Sequence, residues 1–375
     1  MNFGFTDEQT LLRDQVRKFL DERCPSGVVR KIMADEGYRL DLWQEMAQLG
    51  WLGLAIDPEH DGVGLGWVDM LVVLEEMGRS LYPSPFISTT LAASTLSELG
   101  SEAQQKQYLP LIATGRLIAS LALLDNTDCP SIDNIQLTAR EENGAHILTG
   151  RKPFVADAGA AQLFLTAFRW GKQLYLGLVD REQAGVSVTP SATMDLTKRT
   201  GSLELNNVTL LSEQVIEVAP EALARIFDKG AVAVAAEMVG AAETVLTMTT
   251  EYAKDRIQFD QPIGKYQGVK HNLADMFVDI ESFKSLTYYA AWTADESPEE
   301  FPKSASLAKA YASDAFAKIG IDGVQLHGAI GFTQEYDIQL YLKRSKWARP
   351  MFGDSDFHYA RIAALHEAAA AADEA

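Results

Sequence analysis

Two stretches of the chain carry residues that could do chemistry. Asp255–Met276 reads DRIQFDQPIGKYQGVKHNLADM, and Gln325–Phe332 reads QLHGAIGF. The first opens on a polar turn bearing Arg256, Phe259, Gln261 and Pro262. A guanidinium can pair with a diphosphate, and a phenyl ring can pack on an aromatic ring. Val269, Leu273, Met276, Ile280 and Phe283 then recur at alternating steps of four and three. That spacing predicts one apolar stripe of a helix. On spacing alone, the same residues also describe a helical hairpin with a charged turn. His271 sits on the helix after Lys270 and suits packing or an interface. No His/Asp/Glu set has metal-ligand spacing. The isolated serines lack a G-x-S-x-G elbow, which leaves a hydrolase without its nucleophile.

The elements that must position these residues fall into three blocks. Residues 1–116 read as helices: Thr6 is a plausible N-cap, Gln9 completes a capping box, and Leu11, Leu12, Val16, Phe19 and Leu20 form an apolar face. The glycine-rich loop Asp57–Gly66 lacks the GKS or GKT ending of a phosphate loop. Residues 117–218 break into short apolar segments separated by Gly, Asn, Asp and Pro, which predicts a small barrel-like β domain. Asn143-Gly144 has the chemistry of a tight hairpin turn. Residues 219–375 return to helical spacing, with three long helices and a terminal one, as in an antiparallel four-helix bundle. The expected architecture is therefore multidomain α and β.

Composition bounds the function. The chain has 375 residues, 47% hydrophobic and 23% charged, as in an ordinary globular protein. Its net charge of -19 argues against nucleic acid and anionic membrane surfaces as partners. No apolar run is expected to span a membrane, and MNFGFTDEQT lacks the basic flank and apolar core of a signal peptide. Cys24 and Cys129 form no metal spacing; they are expected to be buried bystanders in a reducing, cytoplasmic compartment.

RxxFxxPIGxxQxxKHxLADM, followed about sixty residues later by QLHGxIGFTxExD, resembles the acyl-CoA dehydrogenase family of flavoproteins. FGFTDEQTLLRDQVRKFL, LTGRKPFVADA, MDLTKRTGSLELNNV and FDKGAVAVAAEMVGAAE fall where that family has counterparts, so the resemblance spans nearly the whole chain. It implies a helical domain, a β domain and a helical bundle, with FAD held between the β domain of one subunit and the bundle of its neighbour. Arg256 would then meet the diphosphate beside Phe259, and Gln325 and Gly328 the adenine–ribose end. Ala329 replaces the second glycine of the family's QxxGG turn, and His327 would support that turn. On the β domain, Leu124 replaces a threonine that bonds the flavin ring, Phe154 a tryptophan beside the ring, and Ala156 a threonine that reaches flavin N5.

The family's catalytic glutamate has two alternative places, and both are glycine here, Gly353 and Gly230. Asp354 is the nearest carboxylate to the first, although it also suits an N-cap. Glu237 lies two turns from the second. The resemblance implies α,β-dehydrogenation of an acyl-CoA thioester, with electrons passed to an electron-transfer flavoprotein, in a homo- or hetero-tetramer. The substrate class extends to steroid-type or other bulky acyl-CoAs, a branch with degenerate subunits. A second expectation is a non-catalytic partner subunit that lends its half of the FAD site to a paralogue. A third keeps the fold but changes the chemistry, as in related flavin monooxygenases or nitroalkane oxidases.

Overall fold

The computed structural model describes residues 5–35, 38–125 and 130–373. Thr6 starts the first helix through the expected capping box: its hydroxyl accepts from Gln9 N at 3.2 Å, and Gln9 Oε1 accepts from Thr6 N at 3.1 Å. The helices that follow are α1 (Asp7–Arg23), α2 (Ser26–Ala34), α3 (Leu40–Gln48), α4 (Trp67–Ser80), α5 (Phe86–Leu99) and α6 (Glu102–Ala113). Cys24, after α1, is buried; Cys129 lies outside the described residues.

The strands are β1 (Ala119–Ala122), β2 (Ala139–Glu142), β3 (Ala145–Ala156), β4 (Leu163–Trp170), β5 (Gln173–Asp180), β6 (Val186–Ser191), β7 (Thr200–Leu210) and β8 (Val215–Val218). Asn143 and Gly144, at φ of 54° and 80°, make the tight turn between β2 and β3. Strand β8 adds to the expected set, because four residues are too few for alternation to register. The strands do not close into a barrel. They form two four-stranded sheets, ordered β1-β4-β5-β8 and β2-β3-β7-β6. Phe164, Phe168 and Val179 from the first interdigitate with Leu148, Leu203 and Leu205 from the second in one buried cluster. Two inner faces that share an apolar core satisfy each sheet without main-chain closure.

The last block contains α7 (Pro220–Asp255), α8 (Gln267–Glu296), α9 (Phe301–His327), α10 (Ile338–Ala348) and α11 (Ser355–Asp373). Helix α9 packs against α8, α10 and α11. It also touches α7 so closely that a Cβ on Gly323 would lie 2.6 Å from Val245 Cγ1. Helix α7 corrects one expectation: it is long and apolar enough to cross a membrane, with a window of mean hydropathy 1.5. That window is 72% buried, as in the core helix of a globular domain. The chain divides into two compact units: Met1–Arg30, Leu71–Tyr82 and Ala231–Ala375 form one, and Lys31–Met70 with Pro83–Gly230 the other.

Candidate functional site

At the end of α7, Arg256 N–H donates to Tyr252 O at 2.8 Å. The chain then turns through a short hairpin, β9 (Ile257–Gln258) against β10 (Gln261–Pro262). Its turn residues, Phe259 and Asp260, have φ of 51° and 60°. Neither is glycine, so each strained residue costs about 1–3 kcal/mol. The turn leaves the Phe259 ring 88% exposed. Tyr266 braces it from behind by donating to Gln258 O at 3.2 Å. The Arg256 guanidinium is exposed and makes no hydrogen bond or ion pair among the described residues.

Helix α9 delivers the other two residues to the same end of this unit. Gln325 is exposed on its last turn. Gly328 ends the helix at φ 64°, ψ -142°, a conformation that needs glycine. A Cβ there would meet nothing within 4 Å, so the missing side chain leaves the backbone open to a close-approaching ligand. Tyr252 stacks on His327 at 4.5 Å, and Tyr336 lies 5.0 Å from the same imidazole. This stack ties the end of α7 to the end of α9. His327 Nδ1 bonds Gly323 O at 2.7 Å, and burial lowers its pKa, so the ring serves as a neutral spacer. An unpaired guanidinium, a bare phenyl ring, an amide and an open backbone together suit a dinucleotide's diphosphate and its adenine–ribose end.

The Gly353–Asp354 segment is elsewhere. Asp354 caps α11, its Oδ1 accepting from Phe357 N at 3.0 Å. Gly353 has φ 98°, and a Cβ on it would lie 2.4 Å from Phe357 Cδ1 and 2.9 Å from His358 Nε2. Its carbonyl accepts from the buried Lys309 at 2.8 Å; the same ammonium donates to Arg349 O at 2.9 Å and Ser313 Oγ at 2.8 Å. Burial pushes Lys309 down to about 7, against the pull of Asp354. Burial, aided by Lys309, holds His358 at about 3. Lys309 and Gln325 share α9, so at 1.5 Å per residue this segment sits about 24 Å along the helix from the Arg256 end. Glu237 is also engaged: it pairs with Arg344 at 3.1 Å, with side chains 4% and 1% exposed. Gly230 is buried inside α7.

The other unit carries Leu124, Phe154 and Ala156. Leu124 follows the end of β1 and is half-buried. Phe154 lies in a break of the β3–β7 register, between Lys152 opposite Leu203 and Val155 opposite Gly201. A bulge re-aims side chains. Phe154 adopts φ 59° and is 53% exposed. Ala156 ends the strand, its carbonyl accepting from Ser120 Oγ at 2.6 Å. The next residue, Asp157, accepts from Tyr38 and from Ser88 Oγ. Near Gly230 in sequence, Lys229 donates to Ser94 Oγ at 2.9 Å, pairs with Glu98 and covers the Trp67 ring at 5.2 Å.

Buried lysines, among them Lys152, Lys229 and Lys309, escaped the sequence-based expectations. The signal for two of them was present. Lys152 continues the inward alternation of Leu148 and Gly150, and Lys309 lies one turn beyond Ala305 on the enclosed face of α9. A lysine at an inward position implies a built polar partner.

Comparison with known proteins agrees across the chain. The family model described as the acyl-CoA dehydrogenase N-terminal domain matches residues 6–116, and that for the C-terminal domain matches residues 221–365. Acyl-CoA dehydrogenase IpdE2 of Mycobacterium tuberculosis is 32% identical over 90% of this chain and 91% of its own length. An acyl-CoA dehydrogenase of Bacillus subtilis is 29% identical over 91% of this chain and 93% of its own. Among solved structures, the ChsE4-ChsE5 complex from Mycobacterium tuberculosis matches with TM-score 0.90 and 26% identity over 97% of this chain and 98% of that one. The Tcur3481-Tcur3483 steroid ACAD matches with TM-score 0.89 and 28% identity, over 97% of this chain and 99% of that one.

Proposed function

Because this chain belongs to the acyl-CoA dehydrogenase family, we propose that it works in the FAD-dependent α,β-dehydrogenation of an acyl-CoA thioester to the 2-enoyl-CoA, as the subunit that lends half of an FAD site to a base-bearing paralogue. FAD, when bound, takes the hydride that leaves the β carbon. Arg256 neutralises the diphosphate, Phe259 covers a ring face, and Gln325 with the open backbone at Gly328 receives the adenine–ribose end. Electrons go on to an electron-transfer flavoprotein, and the assembly is a cytoplasmic hetero-tetramer.

One observation carries the partner-subunit assignment: Gly353 has a left-handed backbone, and a Cβ there would lie 2.4 Å from Phe357 Cδ1, so any side chain must displace that ring. A general base must reach the α proton with a free carboxylate of raised pKa. The carboxylates near the two expected positions are occupied, Asp354 with the α11 N-terminus and Glu237 with Arg344. Two structural relatives are named as pairs, ChsE4-ChsE5 and Tcur3481-Tcur3483, and the second is a steroid enzyme. A bulky, steroid-type acyl-CoA is the substrate class that follows.

The test is co-expression with a paralogue that carries the glutamate. A mixed tetramer with fewer flavins than chains, whose flavin bleaches with bulky acyl-CoAs, is the expected result. A homotetramer with one flavin per chain and normal turnover would mean that Asp354 leaves its cap to act as the base, and the partner-subunit assignment would fall.

A further inference from the structure

We infer that the buried Lys152–Asp125 pair is a positioning device that sets the spacing of Leu124, Phe154 and Ala156, the residues that stand where the family's β domain meets its flavin. Leu124 extends from β1, whereas Phe154 and Ala156 belong to β3. These strands lie in different sheets and share no ladder. Main-chain pairing therefore does not fix the distance between them, and side chains must.

Two side-chain links do so. Ser120 Oγ on β1 donates to Ala156 O on β3 at 2.6 Å. Lys152 Nζ on β3 reaches Asp125 Oδ1 at 2.8 Å and Leu123 O at 3.1 Å. Leu124 lies between those two acceptors in sequence. Phe154 and Ala156 lie between the two β3 anchors or at one of them. The carboxylate is fixed in turn: Asp125 Oδ2 accepts from Gln136 N at 2.6 Å and Leu137 N at 3.2 Å, on the approach to β2. The lysine and aspartate side chains are 0% and 7% exposed.

The pair is also placed where the ladder fails. The β3–β7 register breaks immediately after Lys152, and Phe154 stands out of the break in a strained conformation. A bulge without a brace can slip; the ammonium, anchored on the segment that follows β1, supplies one. Apolar residues of equal volume would fill this space with less desolvation. What they lack is direction: an ammonium with fixed acceptors holds two chain ends at one distance.

The experiment uses the co-expressed complex and the variants K152M, K152R and D125N. Amide hydrogen exchange is followed at residues 123–125 and 153–156 and compared with the rest of the chain. K152M and D125N should exchange at least 10-fold faster in those two segments alone. K152R, which keeps the charge, should recover part of the protection. K152M/D125L removes both charges together and answers the question should a single variant unfold. Folded variants with wild-type exchange in both segments would overturn the inference while leaving the proposed function standing.

Discussion

Lys309 is satisfied by three neutral acceptors and no counter-ion within hydrogen-bond distance, so its charge is held against burial. Its pKa of about 7 is far below the ordinary 10.5. The unfolded chain therefore binds more protons between those values, and stability rises with pH across that window. Below about pH 7 the penalty is fully present. K309M should flatten the slope of urea midpoints measured from pH 7 to 10, an effect on the order of a few kcal/mol. His358, held near 3, acts on the acid side: its contribution is intact above 6.5 and lost as pH falls toward 3. Gly353 is a second residue-scale case. G353A must accept φ 98° and displace the Phe357 ring, so its melting temperature should fall by an amount equivalent to about 2–3 kcal/mol. An unchanged melting temperature would show that the segment relaxes and that a longer side chain could be admitted.

Two glycines set how α4 and α7 approach one another. A Cβ on Gly78 would lie 2.0 Å from Glu237 O, and one on Gly240 would lie 1.8 Å from Glu75 O. Those contacts are with backbone, which cannot rotate away. G78A or G240A should therefore cost about 2–4 kcal/mol in chemical denaturation, although alanine is the better helix former. Helix α4 also carries a buried charge network. Glu76, on α4, receives Arg17 at 2.6 Å and Arg79 at 2.6 Å, while Glu75 takes Tyr288 and Lys284 from α8. The Glu76 side chain is 1% exposed, so neutralising it takes the buried carboxylate from two guanidiniums at once, although Arg79 keeps Asp21. E76Q should lose about 2–4 kcal/mol, whereas a change at the exposed Lys106–Glu102 pair should cost within about 0.5 kcal/mol. Similar losses at both sites would mean that the network is solvated.

At the scale of the whole molecule, the residues singled out for one flavin lie on two different compact units, Arg256, Phe259, Gln325 and Gly328 on one and Leu124, Phe154 and Ala156 on the other. On the proposed reading, this chain lends the first of those sets to a neighbour. FAD should therefore raise the melting temperature of the co-assembled protein more than that of this chain alone. A ligand at 100 times its dissociation constant contributes about 2.7 kcal/mol. Equal shifts with and without the paralogue would contradict the division of labour. The net charge of the chain is -19, and the exposed Arg256 makes no ion pair among the described residues. R256Q should weaken flavin retention and its salt dependence together, without lowering apo stability by more than about 0.5 kcal/mol.

Much of this was readable from the chain alone. The order of helical, β and helical blocks, the capping box at Thr6, the Asn143-Gly144 turn and the stripe along α8 all follow from spacing within one element. Arg256, Phe259, Gln325 and Gly328 were nameable because they sit in short contiguous motifs. Other decisions needed partners from far away in sequence. Asp354 already read as an N-cap, and Phe357 N donates to it; Glu237 looks like a free carboxylate until Arg344 is placed beside it. Lys152 reads as an inward residue from its place in β3, but what it meets there is decided only when Asp125 is placed beside it. Periodicity reports which face of an element turns inward; only the folded chain decides what each buried charge meets there, because that depends on contacts between elements and not within them.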